Sequence, residues 1–443
     1  MSNKANKTME MQGTAAIWPG TTAPQHRLAG VIWQRFRRHR PARWSARVLL
    51  LLAMVALLGD FIANEKPLYC QLEGRHYFPV LRQYAVDAGL ASWEARFFQK
   101  SWREQPYEVV LFPPIPYSAG TIDSANSGCK SPFTTQNTAS WRYRHWLGTD
   151  RLGHDIAAGM IAGTRVALLV GLIAMSIATL AGILLGALAG YFREGELRVT
   201  RIRLLLNLVA FFLAWFYGIE TQRFDLAEAA ENGNAAAAWL RIFATVAGIF
   251  LLANLLARQL ERRGWPFLGK RLSLFPDLWV MRLVEVLDAI PGLLLLLAFL
   301  AVVQKSSVYY VMVVIGLLRW TGIARYMRAE LLKVRNLAYI EAARAMGFST
   351  RRILFRHALP NAIGPVLISV SFGIAAAILL ESSLSFLGLG VAAEGTSWGK
   401  ILSDARENPA AWWLAVFPGG AIFLTVTAFN LIGEGLTRAY SPE

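Results

Sequence analysis

The sequence predicts an all-α, polytopic membrane protein, and three observations carry that expectation. Hydrophobic residues make up 55% of the 443 positions and charged residues only 17%, against about 25% charged in ordinary soluble domains. Apolar runs close to membrane-spanning length recur from Val48 to Ile432. The net charge of +16 is concentrated in the N-terminal tail and in the connections that follow every second run. This is the positive-inside pattern, so the charge is explained by a lipid bilayer and no nucleic-acid partner is expected. The runs divide into six core spans and one inserted pair.

Residues 1–30 are polar and without periodicity, and are expected to be unstructured. The basic tail, residues 1–47, ends in Arg35, Arg37, Arg38, Arg40, Arg43 and Arg47, directly before the first apolar run, residues 48–63. The basic part is far too long for a signal peptide, and FIANEKP offers no small-residue cleavage site. An uncleaved first span with a cytoplasmic N-terminus is expected.

Residues 64–150 carry nine basic and eight acidic groups, the balance of a translocated loop. Trp93, Phe97, Phe98 and Trp102 stand at helical spacing there, and a loop packed on its own aromatics is favoured over substrate contact. The two cysteines of the chain, Cys70 and Cys129, both lie in this external stretch. Neither has zinc or redox spacing, and a disulfide between them is allowed in an oxidising compartment. His145, Asp150, His154 and Asp155 match no known metal-ligand spacing, so no metal is expected.

The second span falls within residues 151–192. Gly182, Gly186 and Gly190 repeat at intervals of four, which places them on one helix face for close packing. Residues 193–278 hold two further apolar runs, 204–219 and 239–257, joined by a stretch with one basic and four acidic residues. An even number of inserted spans preserves the topology of the later core spans. The insert reads as a peripheral, lipid-facing hairpin, spanning or interfacial.

Residues 279–443 hold the remaining core. The third span, 278–303, contains Glu285 and Asp288 on one face beside Pro291, a kink site. The fourth span, from Val308 to about Ile323, continues through RYMRAELLKVRN as one long helix. The fifth, 363–387, contains Glu381, which would be a substrate-facing charge or, preferably, a satisfied interhelical hydrogen bond. The sixth is 413–432.

Between the fourth and fifth spans lies NLAYIEAARAMGFSTRRILFRHALP, residues 336–360. It reads as two short helices broken at Gly347, with Asn336 and Ser349 as N-caps. Ala342, Ala343 and Ala345 leave little bulk on one side, so another protein's surface would approach the backbone closely. The chain has no GxxxxGK[ST], HExxH or GxSxG; the nearest glycine-rich stretch, 390–397, lacks the lysine. No enzymatic activity of its own and no cofactor are expected.

Glu341, Ala342, Ala343, Gly347, Leu359 and Pro360 resemble the EAA motif of the permease subunits of ABC importers. His357 stands where the general motif has isoleucine, and the RHxLPN form is similar to the peptide-permease branch. Gly148, Thr149, Asp150, Gly153 and Asp155 resemble the GTDxxGRD start of the second span in oligopeptide and dipeptide permeases, with His154 in the place of arginine. Residues 61–79 resemble the external loop of Yej-type peptide permeases. The resemblance implies a type I permease core in the bacterial inner membrane, with both termini cytoplasmic and the loop 336–360 as the coupling helix. It further implies a second homologous permease, two ABC ATPases and an external solute-binding protein. Arg351, Arg352 and Arg356 would make polar contacts at the docking site, and Glu341 near a helix N-terminus is favoured by the macrodipole. Glu285 and Asp288 would pack against the coupling region. The same scaffold importing nickel or an opine remains a second reading.

Overall fold

A computed structural model of the chain describes residues 25–94, 97, 101–192, 197–222, 235–262, 270–303, 307–390 and 395–440. Two helices open it, α1 (Gln25–Arg38) and α2 (Arg40–Ile62). Helix α1 begins inside the stretch expected to be unstructured. The first span is longer than its apolar run because the arginine-rich segment continues the same helix: His39 caps α2 by accepting a hydrogen bond from Ala42 N at 3.3 Å.

The segment between α2 and the second span carries a small antiparallel sheet of β1 (Tyr69–Leu72), β2 (Arg75–Tyr77) and β3 (Val109–Leu111), in the order β2-β1-β3, with the short helix α3 (Pro79–Asp87). Its aromatics pack on one another, as expected. Trp93 meets Phe97 and Trp102 edge-on, and Phe97 stacks on Trp102 at 5.0 Å. Phe98, expected in the same cluster, lies outside the described residues.

The second span is α4 (Ile156–Tyr191), after which β4 (Leu197–Thr200) leads into α5 (Arg201–Glu220). Helix α6 (Ala235–Arg262) runs back to β5 (Arg271–Leu274). The two strands pair antiparallel, from Leu197 opposite Leu274 to Thr200 opposite Arg271. Helices α5 and α6 pack on each other, linked by Arg203 Nε donating to Asn254 Oδ1 at 3.1 Å and by Asn254 donating to Asn207 at 3.2 Å. Leu205, Leu208, Phe212, Phe243 and Leu252 remain exposed.

The third span departs most from expectation. Pro291 breaks it into α7 (Pro276–Ala289) and α8 (Gly292–Val303), bent by 85°. Ile290, the residue before the proline, is extended (φ −95°, ψ 126°), because the proline ring disfavours the helical region there. The break is therefore sharper than a kink. Helix α9 (Val308–Val334) is the single long helix expected, and a short helix α10 (Ala338–Ala345) comes after it. The second of the two expected short helices is not separate: it continues into the fifth span as α11 (Thr350–Phe386). A π turn at Leu354–Ala358 precedes Pro360, whose missing amide cannot bond Arg356 O, so the helix absorbs the proline without ending. Helix α12 (Trp398–Glu407) and the last span α13 (Trp413–Tyr440) complete the chain. Among the described residues, seven helices are long and apolar enough to cross a membrane, or eight counting the bent pair as one span.

The core is organised on α4. Its glycine face lies directly against α9: a Cβ at Gly182 would stand 2.6 Å from Ile323 Cβ, at Gly186 2.6 Å from Ala324 O, and at Gly190 2.7 Å from Arg328 O. Gly316 of α9 reciprocates, its place for a Cβ lying 2.8 Å from Ala174 O. Helix α11 closes on the same pair through Ile374 and Ile378, both against Gly171.

Candidate functional site

Two regions hold the residues the sequence singled out. The first is the loop between α9 and α11. Helix α10 ends in a paired left-handed turn: Gly347 has φ +77°, its amide donates to Arg344 O at 2.9 Å, and the Phe348 amide donates to Ala343 O at 3.1 Å. Ser349 caps the next helix through the Arg352 amide at 3.4 Å. Asn336 does not cap α10. Its side chain donates back to Leu332 O at 3.2 Å, closing the end of α9, and the N-cap position is Leu337, without a side-chain bond.

The alanines divide differently from expectation. Ala343 is buried beside Ile340, Ile353, Leu354 and Ala358, so its small size serves contact with the bundle. Ala342 and Ala345 face outward together with Glu341, Gly347, Arg351, Arg352 and Arg356. Met346 and Phe355 add exposed apolar area, 66% and 62% accessible. The result is a small-residue and apolar surface ringed by guanidinium groups. Beneath it, the Phe348 ring stacks on His357 at 6.2 Å and lies 4.4 Å from the Arg352 guanidinium carbon. His357 Nε2 is buried with no hydrogen-bond partner among the described residues, Leu359 is half-buried, and Pro360 is exposed.

Ion pairs tie this loop's supports to the third span. Arg328 of α9 grips Asp277 of α7 with two nitrogens, Nη2 to Oδ2 at 2.7 Å, and Arg325 pairs with Asp288. Glu285 instead pairs with Arg282 of its own helix at 2.7 Å. The two acidic residues named together in the sequence therefore part company. Glu381 is 1% exposed and accepts from Ser385 of its own helix at 2.7 Å and from the Ser397 hydroxyl at the start of the next helix, so its bonds reach beyond α11 as expected.

The second region is the junction before α4. Asp155 caps that helix through the Ala158 amide at 2.7 Å and holds His145 Nδ1 at 2.8 Å, while Asp123 reaches His145 Nε2 at 3.2 Å. Thr149 and Gly148 are buried at this turn: the Thr149 hydroxyl donates to Asn126 O at 2.8 Å, and Gly148 (φ +81°) leaves no room for a Cβ beside Lys130 O. Gly153 (φ +98°) passes so close to Asp123 that a Cβ would fall 2.2 Å from its carbonyl oxygen. Asp150 collects the amides of Leu152, Gly153 and His154 and the His154 ring, at 2.6–2.9 Å. Burial pushes the Asp150 carboxyl up, but these bonds outweigh it and hold the group below the usual carboxylate range; the same bond raises His154. Cys70 and Cys129 are free thiols in separate clusters, Cys70 within the small sheet and Cys129 against Ile156 and Trp413, and no disulfide joins them.

Asp404 of α12 faces this junction across a cavity of about 420 Å³ that Asp150, His154 and Lys400 also line. Burial, with the charges of Asp150 and Glu407, pushes its carboxyl up to about 6, against the opposing pull of Lys400 and His154. A native pKa above the unfolded one means that its stabilising contribution is complete below about pH 4 and is lost as pH rises through about 6. Asp404→Asn is therefore expected to raise the thermal midpoint at pH 7.5 by on the order of 2–4 °C and to leave it unchanged near pH 4. A scan of the melting temperature against pH in detergent checks the sign; a loss at pH 7.5 would contradict it.

Sequence reasoning missed Arg319, Arg325, Arg328 and Asp277. Their signal was present, since each is a charge at the edge or in the interior of an apolar run.

The family profile described as binding-protein-dependent transport system inner membrane component matches residues 267–443, and that of the N-terminal TM domain of oligopeptide transport permease C matches residues 28–76. The Escherichia coli inner membrane ABC transporter permease protein YejE is 30% identical over 418 residues, covering 93% of this chain and 96% of that protein. The peptidoglycan transport system permease protein YejE of Agrobacterium fabrum is 25% identical, covering 93% and 92%. The glutathione transport system permease protein GsiD of Pectobacterium atrosepticum is 31% identical over 68% of this chain and 73% of its own length. A chain of apolar spans that aligns along nearly its full length with such a protein belongs to the multi-pass inner-membrane permeases of binding-protein-dependent ABC transporters.

Proposed function

We propose that this chain is one of two related permease subunits of an ATP-driven importer of peptides, and that the loop 336–360 couples it to a cytoplasmic ATPase. The relatives named for peptidoglycan and glutathione transport, and the match to the oligopeptide permease profile, support peptides as the substrate class. The observation that carries the coupling reading is the outward face of α10 with its Gly347 turn, mounted between two long helices. Helix α9 runs about 40 Å, longer than a hydrocarbon core of about 30 Å. Helix α11 joins the loop to the fifth span without a break. A push on α10 is thus delivered to two spans at once. Both termini are cytoplasmic and residues 64–150 face the solute-binding protein outside. Two ATPase subunits perform the hydrolysis, because this chain carries no nucleotide-binding loop of its own.

Gly347→Asp tests this. A Cβ at Gly347 meets nothing within 4 Å, so the direct penalty is the left-handed backbone, about 1 kcal/mol. In the importer complex purified with its ATPases and binding protein, peptide-stimulated ATP hydrolysis is expected to fall at least about tenfold, with the complex still inserted. Undiminished stimulation would place the coupling elsewhere.

A further inference from the structure

Helix α9 carries one charge that the fold leaves uncompensated. Arg319 lies about 17 Å along α9 from Val308, close to the middle of a hydrocarbon core about 30 Å thick. It is exposed, and among the described residues no carboxylate pairs with it. A bare guanidinium at that depth is costly unless it faces water, a counter-charge or a ligand.

The surroundings favour the last of these. Arg319 lines a cavity of about 650 Å³ between α4, α7, α8, α9 and α11, together with Asp288, Arg325, Thr321, Ser369 and Phe372. Asp288 and Arg325 neutralise each other, so the wall keeps a single net positive charge. Thr321 and Ser369 supply hydroxyl groups, and Phe372, Leu293 and Leu380 supply apolar area. Arginine is the side chain best shaped to take a carboxylate through two parallel hydrogen bonds.

We infer that Arg319 is a substrate-contacting residue of the translocation path, binding the terminal carboxylate of a peptide as it passes the mid-depth of the membrane. The inference rests on the peptide reading above. It divides the labour within the cavity: the guanidinium holds a group common to every unmodified peptide, and the apolar wall receives side chains of varied shape.

The test uses the complete importer in proteoliposomes with its binding protein, and a peptide acid and its C-terminal amide that the wild type both takes up. Arg319→Gln is expected to lower uptake of the acid at least about tenfold, the scale on which a charge-assisted hydrogen bond is lost, while uptake of the amide stays within about twofold of wild type. Arg319→Lys should recover only part of the acid uptake, because it keeps the charge but not the two parallel hydrogen bonds. Equal loss of both forms would overturn the inference and point to a carboxylate of the second permease as the partner. So would no loss of either form from a complex of wild-type yield and elution. A wild type that carries no peptide in any form would instead overturn the peptide reading, and with it the peptide carboxylate as the ligand.

Discussion

Gly186→Leu should leave little folded permease in the membrane. The glycine sits on the face where α4 lies against α9, and even a methyl group there would stand 2.6 Å from Ala324 O and 2.8 Å from Met327 Cβ. The obstacle on one side is backbone, which cannot rotate away as a side-chain tip can. A leucine would have to push the helices apart, opening the contacts of Trp320, Ile323, Ala324 and Met327, all nearly inaccessible. Overpacking usually costs about 1–3 kcal/mol. Here the loss extends along the whole interface, so a fall in melting temperature of roughly 10 °C, or failure to recover the protein, is expected. Leu184→Ala is the control: that side chain is 52% exposed and its removal should change little. Comparable melting profiles for Gly186→Leu and wild type, by size-exclusion chromatography of heated samples, would show that the two helices are not packed as described.

Asp155→Ala should damage the junction before α4 severely. The carboxylate performs two tasks with two oxygens: Oδ1 caps a helix of 36 residues and Oδ2 holds the buried His145. Losing the cap costs about 1 kcal/mol. Leaving the His145 nitrogen without its partner costs a further 1–3 kcal/mol or so, since His145 is fully buried under Tyr117, ring centre to ring centre 4.3 Å. Asp155→Asn separates the terms, because asparagine caps as well as aspartate and keeps a neutral hydrogen bond to the ring. The asparagine variant should retain most of the wild-type melting temperature and the alanine variant should not. If the two melted alike, the junction would owe its stability to the turn backbone and not to this carboxylate.

How far the sequence can be read depends on whether the deciding interaction is local. The glycine face of α4 was legible because a repeat of four puts residues on one side of a helix whatever lies opposite. The Gly347 turn and the Ser349 cap were legible for the same reason: both are hydrogen-bond requirements met within a few residues. The orientation of Ala343 was not, because alanine is equally compatible with a docking face and a packed one, and only the position of Ile340 and Leu354 around it decides. The break at Pro291 was legible in place but not in angle, since a proline removes a bond without dictating where the freed helix goes. The pairing of Asp288 with Arg325, 37 residues away, and the cavity that surrounds Arg319 are tertiary facts with no local signal. The junction before α4 lies between these cases. Its residues were found through resemblance, but that Asp155 serves a histidine as well as a helix end required the fold.

The strand pair β4–β5 has a consequence for how motion travels through the molecule. It brings the chain at Leu197 to within one ladder spacing of the chain at Leu274, roughly 5 Å. The hairpin α5–α6 therefore hangs from a closed loop, like a branch wired in parallel with a circuit and not in series with it. A displacement of α4 relative to α7 therefore has a path across the ladder that does not run through the inserted helices. A permease built this way can lengthen or reshape that branch without retuning its transport cycle.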